Sequence, residues 1–196
     1  MYTSSGLRQA EGFIRCALTG MRLSLVCGIG LLLAAPSALA SDNTPPPRLV
    51  AGLPSCSAAD LAVSNDDENG AFDATMHSGT RLTVRNEGRR ACRLARWPRL
   101  EFLDAGQRPV AVAFERVVRQ AINAPEQPLG LAPGESATSV LRWVSGDAYG
   151  DGNCHPTTQL RVRIKARAVS TPLDARLCSP AKQPAQIERS PLRTGP

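Results

Sequence analysis

The chain has 196 residues, of which 42% are hydrophobic and 4% aromatic, and its formal net charge is +6. This hydrophobic content excludes a wholly disordered protein and predicts one main domain with a core built mostly from Leu, Val and Ala. The modest positive charge lacks the concentrated basic face of a nucleic-acid-binding protein, so no nucleic acid partner is predicted.

The N-terminal segment has the pattern of an export signal. Arg22 precedes the apolar run from Leu23 to Ala35, and small residues lead to a cleavage site after Ala40. We therefore predict a signal peptide over residues 1–40, with Met21 as an alternative start. The run is shorter than the roughly 20 apolar residues that span a bilayer, so no transmembrane span is expected after cleavage. The predicted localisation is periplasmic or secreted.

Composition divides the remaining chain into three parts. Residues 41–54 contain three consecutive prolines from Pro45, which predicts an extended, proline-rich linker. Residues 55–180 carry the apolar segments and are predicted to form the domain. Residues 181–196 are predicted to be a polar tail with at most one further edge strand.

The clearest strands lie on either side of a turn. Thr80–Arg85 and Cys92–Leu94 alternate apolar and polar residues around Asn86-Glu87-Gly88, which predicts a β-hairpin. Trp97 and Trp143 follow apolar strand residues and are predicted to anchor the core. Further strands are predicted near residues 61–63, 100–102, 110–118, 139–144, 160–166 and 173–178. Short strands with regular turns and no amphipathic helix predict an all-β fold, an immunoglobulin-like β-sandwich of about seven to eight strands.

Four cysteines follow the predicted signal, namely Cys56, Cys92, Cys154 and Cys178. An even number in an exported chain predicts two disulfides. The favoured pairing is Cys56–Cys92 with Cys154–Cys178, because strand pairing between their flanking segments would bring each pair together. The nested pairing of Cys56–Cys178 with Cys92–Cys154 remains the alternative.

The predicted strand from Leu160 to Ala166 carries a row of cations. Arg161, Arg163 and Lys165 alternate with apolar residues, so they are expected to share one solvent-facing side. Such a row predicts an anion-binding face with weak, salt-sensitive attraction to anionic polymers. The alternative is a charged strand surface that resists edge-to-edge association.

Two loops resemble cation sites without completing one. Asn65–Gly70 is acidic but lacks a fixed ligand spacing, and it is predicted to be a solvated loop. Asp147–Gly152 partly imitates a calcium loop, but Tyr149 and Thr158 stand where oxygen ligands are required. We therefore predict no metal site, and a cation-binding structural module remains an alternative function.

The chain lacks the motifs of common enzymes. His77 and His155 have no partner motif, and there is no nucleophile elbow, zinc-binding helix motif or phosphate loop. We predict no catalytic residue, no cofactor and no enzyme, with a hydrolase that uses carboxylates as the alternative. The predicted function is a binding module whose partner is an envelope protein or an anionic envelope polymer.

The order of short motifs along the chain resembles a known family. These motifs run from Cys56 to Cys178 and include Leu82-Thr83-Val84-Arg85-Asn86, Cys92-Arg93-Leu94, Trp97-Pro98, Leu131-Ala132-Pro133-Gly134-Glu135-Ser136-Ala137 and Leu141-Arg142-Trp143. They are similar to the exported or lipid-anchored bacterial family known as domain of unknown function 4232. The resemblance implies an exported immunoglobulin-like domain and supplies no activity, ligand or catalytic residue.

Overall fold

A computed structural model describes residues 47–117, 127–149 and 153–195 of the protein. The predicted signal peptide, the alternative start at Met21 and residues 150–152 of the calcium-like loop lie outside the described residues. The described chain contains a short helix α1 (Pro47–Gly52), a 3₁₀ turn (Ala58–Asp60) and eleven strands. The strands are β1 (Leu61–Asp66), β2 (His77–Asn86), β3 (Cys92–Leu94), β4 (Arg99–Leu103), β5 (Val112–Arg116), β6 (Leu129–Leu131), β7 (Ser136–Val144), β8 (Asn153–Ile164), β9 (Arg167–Ser179), β10 (Ala185–Arg189) and β11 (Arg193–Thr194).

Most strands belong to two sheets that share one core. The larger sheet has the order β1-β2-β7-β10-β5, and β11 also pairs with β7. The smaller sheet has the order β4-β8-β9, and β3 pairs separately with β6. Neighbouring strands are antiparallel except for β5 and β10, which are parallel. The predicted all-β fold with sheets and two disulfides is confirmed, and strands as short as two residues raise their number above the expected seven to eight.

Alternation along β7 shows how the sequence places the core. Ala137, Ser139, Leu141 and Trp143 are buried, and the residues between them are half-buried on the opposite side of the sheet. Period-2 alternation sends successive side chains to opposite faces, so the apolar set lies between the sheets. Phe102 of β4 meets Trp143 there in an edge-to-face contact, with ring centroids 6.4 Å apart. The core therefore joins both sheets through the inward-facing side chains of strands such as β7 and β4.

The predicted hairpin between β2 and β3 is wrong. β2 pairs with β1 and β7, whereas β3 pairs with β6. The buried side chain of Asn86 explains the difference, because its amide nitrogen donates to the carbonyls of Arg90 (2.9 Å) and Leu131 (3.0 Å). Its side-chain oxygen accepts the backbone N–H of Gly88 at 3.0 Å. These bonds replace the tight turn with a loop and hold the end of β2 beside β6. The next strand, β3, then pairs with β6 and not with β2.

Two predicted boundaries also need correction. Residues 47–52 of the predicted extended linker form α1, where the proline at the first position suits a helix start and Val50 is buried. The predicted polar tail 181–196 contains β10, which lies between β7 and β5 inside the larger sheet. Ala185 and Ile187 are buried and alternate with exposed polar residues. The domain therefore continues past residue 180, because burial of two apolar residues outweighs the polar composition of the segment.

The predicted disulfide pairing is confirmed. Cys56 bonds to Cys92, and Cys154 bonds to Cys178. β8 and β9 form a hairpin in which Cys154 and Cys178 are directly opposite partners. Cys56 reaches Cys92 because its backbone N–H donates to the carbonyl of Arg93 at 3.0 Å. Each bridge thus links segments that are already hydrogen-bonded neighbours.

Gly79 is expected to tolerate no side chain. A Cβ atom there would lie 2.5 Å from the carbonyl oxygen of Leu141 and 2.9 Å from the Cβ atom of Phe72. We expect Gly79→Ala to lower the free energy of unfolding by about 1–3 kcal/mol, since backbone must move to admit the methyl group. Urea denaturation measures this loss. Gly52→Ala is the control, because its added Cβ meets nothing within 4 Å, and equal effects of the two changes would contradict the prediction.

Candidate functional site

The outer side of the smaller sheet carries a cluster of arginines, here called the cationic face: Arg99, Arg161 and Arg163, with Glu101 among them. Leu160 and Val162 of β8 are buried, so the arginines between them face outward. Arg99 lies opposite Arg163, and Glu101 lies opposite Arg161, because β4 pairs with β8 in this register. The structure therefore brings together two of the three predicted cations and adds Arg99 from a neighbouring strand.

The carboxylate of Glu101 lies near all three guanidinium groups of the cationic face. The side-chain oxygens of Glu101 lie 3.6 Å from Nε of Arg99, 3.8 Å from Nη1 of Arg161 and 3.7 Å from Nε of Arg163. These distances exceed the 2.7–3.2 Å typical of a direct N–H···O hydrogen bond. Three cations against one carboxylate leave these four side chains with a net charge of +2. The face therefore retains both excess charge and hydrogen-bond donors for an external anion.

Lys165 differs from its predicted position. β8 ends at Ile164, and Lys165 lies in the turn before β9 with a φ of 55°. A residue with positive φ in a two-residue hairpin turn does not continue the alternation of the strand. Lys165 is exposed at the tip of the β8–β9 hairpin, next to the cationic face along the chain, and is not a third member of its row.

An acidic cleft of about 580 Å³ lies between β2 and β9. Its lining includes Asp66, Asp67, Asp73, Asp174 and Trp143. The carboxylates of Asp66 and Asp67 already accept backbone hydrogen bonds within their own loop, from the N–H groups of residues 68 and 69. This arrangement is that of Asx turns, in which aspartate stabilises a reversal of the chain. Among the described residues, no group of three or more His, Cys, Asp or Glu side chains could hold a metal ion.

One buried arginine was not predicted from the sequence. Arg189 of β10 is 9% exposed, and its Nη1 donates to the carbonyl of Pro98 at 2.7 Å. Its guanidinium carbon lies 4.6 Å from the ring centroid of Phe114 and 5.3 Å from that of Trp97. Burial lowers the pKa of Arg189, and the nearby charge of Arg116 lowers this pKa further. Its position follows from alternation along β10. Ala185 and Ile187 face the core, so position 189, two residues further on, faces the same side.

Trp97 belongs to this cluster and not to the buried core. It is half-buried, and the guanidinium carbon of Arg116 lies 5.0 Å from its ring centroid. Cations are attracted to the electron-rich face of an indole, which explains why two arginines gather at one ring. The prediction that Trp97 anchors the core is therefore wrong, whereas Trp143 is buried as predicted.

Comparison with known proteins identifies one family. A family model described as domain of unknown function (DUF4232) matches residues 56–196. No curated protein and no solved structure matches the chain. Over the ranges that the structure describes, no helix is long and apolar enough to cross a membrane.

Proposed function

The chain belongs to the family of the domain of unknown function (DUF4232), and on that premise we propose that it is an exported, non-catalytic binding module of the cell envelope. Its ligand at the cationic face is an anionic envelope polymer. The observation that carries this proposal is the sharing of Glu101 by Arg99, Arg161 and Arg163. An unbalanced group of guanidiniums on the surface of a sheet suits a repeating anion, because each arginine can take a separate charged group.

Two features support export to an oxidising compartment. The paired cysteines form two disulfides, and such bridges persist in secreted and periplasmic proteins. The predicted signal peptide precedes them in the sequence. The non-catalytic part of the proposal rests on the missing enzyme motifs and on the use of Asp66 and Asp67 within their own loop.

Removal of two charges from the cationic face tests the proposal. We expect Arg161→Gln with Arg163→Gln to weaken binding to immobilised polyphosphate about tenfold or more at 20 mM salt, at about 1 kcal/mol for each cation near an anionic surface. The difference should shrink as salt rises, because the Debye length is about 10 Å at 0.1 M and falls further above it. Biolayer interferometry at several salt concentrations measures both effects.

Arg89→Gln with Arg90→Gln is the matched control, since both residues are exposed and the net charge changes equally. We expect this control to retain most of the affinity of the unmodified protein. Equal losses in the two double variants would show attraction by net charge alone and would contradict a role for the cationic face. Absence of binding at 20 mM salt would overturn the proposed ligand.

A further inference from the structure

A groove of about 410 Å³ crosses the outer side of the larger sheet, opposite the core. Thr138, Val140 and Arg142 of β7 line its floor. All three are half-buried and alternate with buried core residues, so their side chains lie on the outer side. Phe72 lines the groove as well, as does the segment that follows β10. It is separate from the cationic face, which lies on the other sheet.

The segment between β10 and β11 forms one wall and is held firmly. The backbone N–H of Ser190 donates to the carbonyl of Val140 (3.0 Å), and the N–H of Val140 donates to the hydroxyl of Ser190 (2.8 Å). Leu192 is fully buried, and its N–H donates to the carbonyl of Arg96. The chain therefore turns inward at Leu192 and leaves space above β7. This wall exists before any ligand binds.

Phe72 occupies the opposite side because of Gly79. A Cβ atom at Gly79 would lie 2.9 Å from the Cβ atom of Phe72, so the missing side chain lets Phe72 approach β2 here. The guanidinium carbon of Arg81 lies 5.9 Å from the Phe72 ring centroid, and Arg81 also forms an ion pair with Glu68. Hydrogen bonding and charge from Arg81 lower the pKa of Glu68, so this pair stays ionised at neutral pH. The aromatic side of the groove is thus packed and charge-balanced.

The remaining charges of the groove are unbalanced. Arg142 and Arg193 line it, and within the described residues neither forms an ion pair or a side-chain hydrogen bond. Among the described residues of the lining, Glu188 is the one acidic residue, and although it lies opposite Arg142 in register, no ion pair joins them. Burial lowers the pKa of Arg96, and the charge of Arg193 lowers it further, so positive charge accumulates at this end of the groove. An anionic ligand would relieve this repulsion.

The spacing of the two cations suggests the shape of the ligand. Arg193 lies opposite Thr138, which is four residues before Arg142 on β7. Strand residues rise about 3.3 Å each, so the two backbone positions are about 13 Å apart. In an extended peptide, side chains at positions i and i+4 lie on one face with the same separation, and position i+2 lies between them. Val140 occupies the middle of the floor and would meet that central side chain.

We propose that this groove binds an extended acidic peptide segment with carboxylates at positions i and i+4 and an apolar side chain at i+2. Arg142 and Arg193 receive the carboxylates, which guanidinium groups bind through paired hydrogen bonds. Val140 and Phe72 contact the apolar side chain. The partner is therefore a protein with an exposed acidic strand or terminus, and this site adds a second ligand class to the one proposed for the cationic face.

Fluorescence anisotropy with a labelled, end-blocked peptide Glu-Ser-Leu-Ser-Glu tests the proposal at 20 mM salt. We expect Arg142→Gln with Arg193→Gln to weaken binding at least tenfold. Arg142→Lys with Arg193→Lys keeps both charges and should lose less. Arg85→Gln with Arg89→Gln removes two exposed arginines that do not line the groove, and it should leave binding within twofold. Equal thermal unfolding of all variants verifies that each is folded.

Two further peptides separate charge from shape. Gln-Ser-Leu-Ser-Gln should bind at least tenfold more weakly, and Glu-Ser-Ser-Ser-Glu should bind several-fold more weakly. Equal binding of the charged and uncharged peptides, or no binding of the charged one, would overturn the proposal. The groove variant should keep its affinity for polyphosphate, whereas Arg161→Gln with Arg163→Gln should keep its affinity for the peptide. Loss of peptide binding in the second variant would assign the peptide to the cationic face and overturn the groove as its site.

Discussion

Removal of both disulfides is expected to lower the free energy of unfolding by about 7 kcal/mol, a large share of the roughly 5–15 kcal/mol by which domains are stable. The Cys56–Cys92 bridge closes a separation of 36 residues, and the Cys154–Cys178 bridge closes one of 24. In the chain-entropy model these loops correspond to about 4 and about 3.5 kcal/mol, because each bridge restricts the unfolded chain. Urea denaturation of the four-alanine variant, followed by circular dichroism, measures the sum.

The two single-bridge variants provide the control for this result. Cys56→Ala with Cys92→Ala should cost slightly more than Cys154→Ala with Cys178→Ala, since its loop is longer. The second pair also lies within the β8–β9 hairpin, whose strands remain paired without the bridge. A loss below about 1 kcal/mol for the four-alanine variant would contradict the prediction. Alkylation of all four thiols without prior reduction would contradict the bridges themselves.

Truncation of Trp143 is expected to cost about 3–5 kcal/mol, the second-largest effect. Its side chain is 4% exposed and packs against Phe102 between the two sheets. Trp143→Ala would leave a large cavity that this close-packed region is unable to fill completely. Guanidinium denaturation followed by circular dichroism measures the loss without depending on indole fluorescence.

Trp143→Phe is the matched control for the truncation. It keeps an aromatic ring in the core and removes the indole Nε1, which is buried and has no hydrogen-bond partner in the described structure. Loss of an unsatisfied donor offsets part of the lost packing, so we expect a cost below about 1.5 kcal/mol. A phenylalanine variant as unstable as the alanine variant would show that the indole edge has a partner or a packing role of its own.

Two of the family motifs have a structural role in this fold. Gly134 has a φ of 78°, and its N–H donates to the carbonyl of Asn86 at 2.7 Å. The N–H of Asn86 in turn donates to the carbonyl of Glu135, whose carboxylate accepts the N–H of Ala132. The motif that ends at Asn86 and the motif that contains Gly134 therefore bind each other. This contact stabilises the junction between β2, β6 and β7. Their role is to build the fold.

Local sequence patterns predicted the structure correctly where the conformation of a segment depends on residues close to it in the chain. The regular alternation from Leu160 to Ile164 predicted a strand with one wet side, and the β8–β9 hairpin then explained the Cys154–Cys178 bridge. The paired residues of this hairpin are at most 26 positions apart in the chain, from Asn153 to Ser179.

The sequence by itself determined the all-β class and the outward direction of Arg161 and Arg163, and it favoured the disulfide pairing that the structure confirms. Only the tertiary structure decided that β3 pairs with β6, that β10 lies inside the larger sheet and that Arg99 joins the cationic face. The physical reason is that alternation specifies which side of a strand is buried but not which strand lies beside it. That choice depends on packing between segments far apart in the chain. The groove above β7 also depends on such long-range packing, because its walls come from residues more than one hundred positions apart.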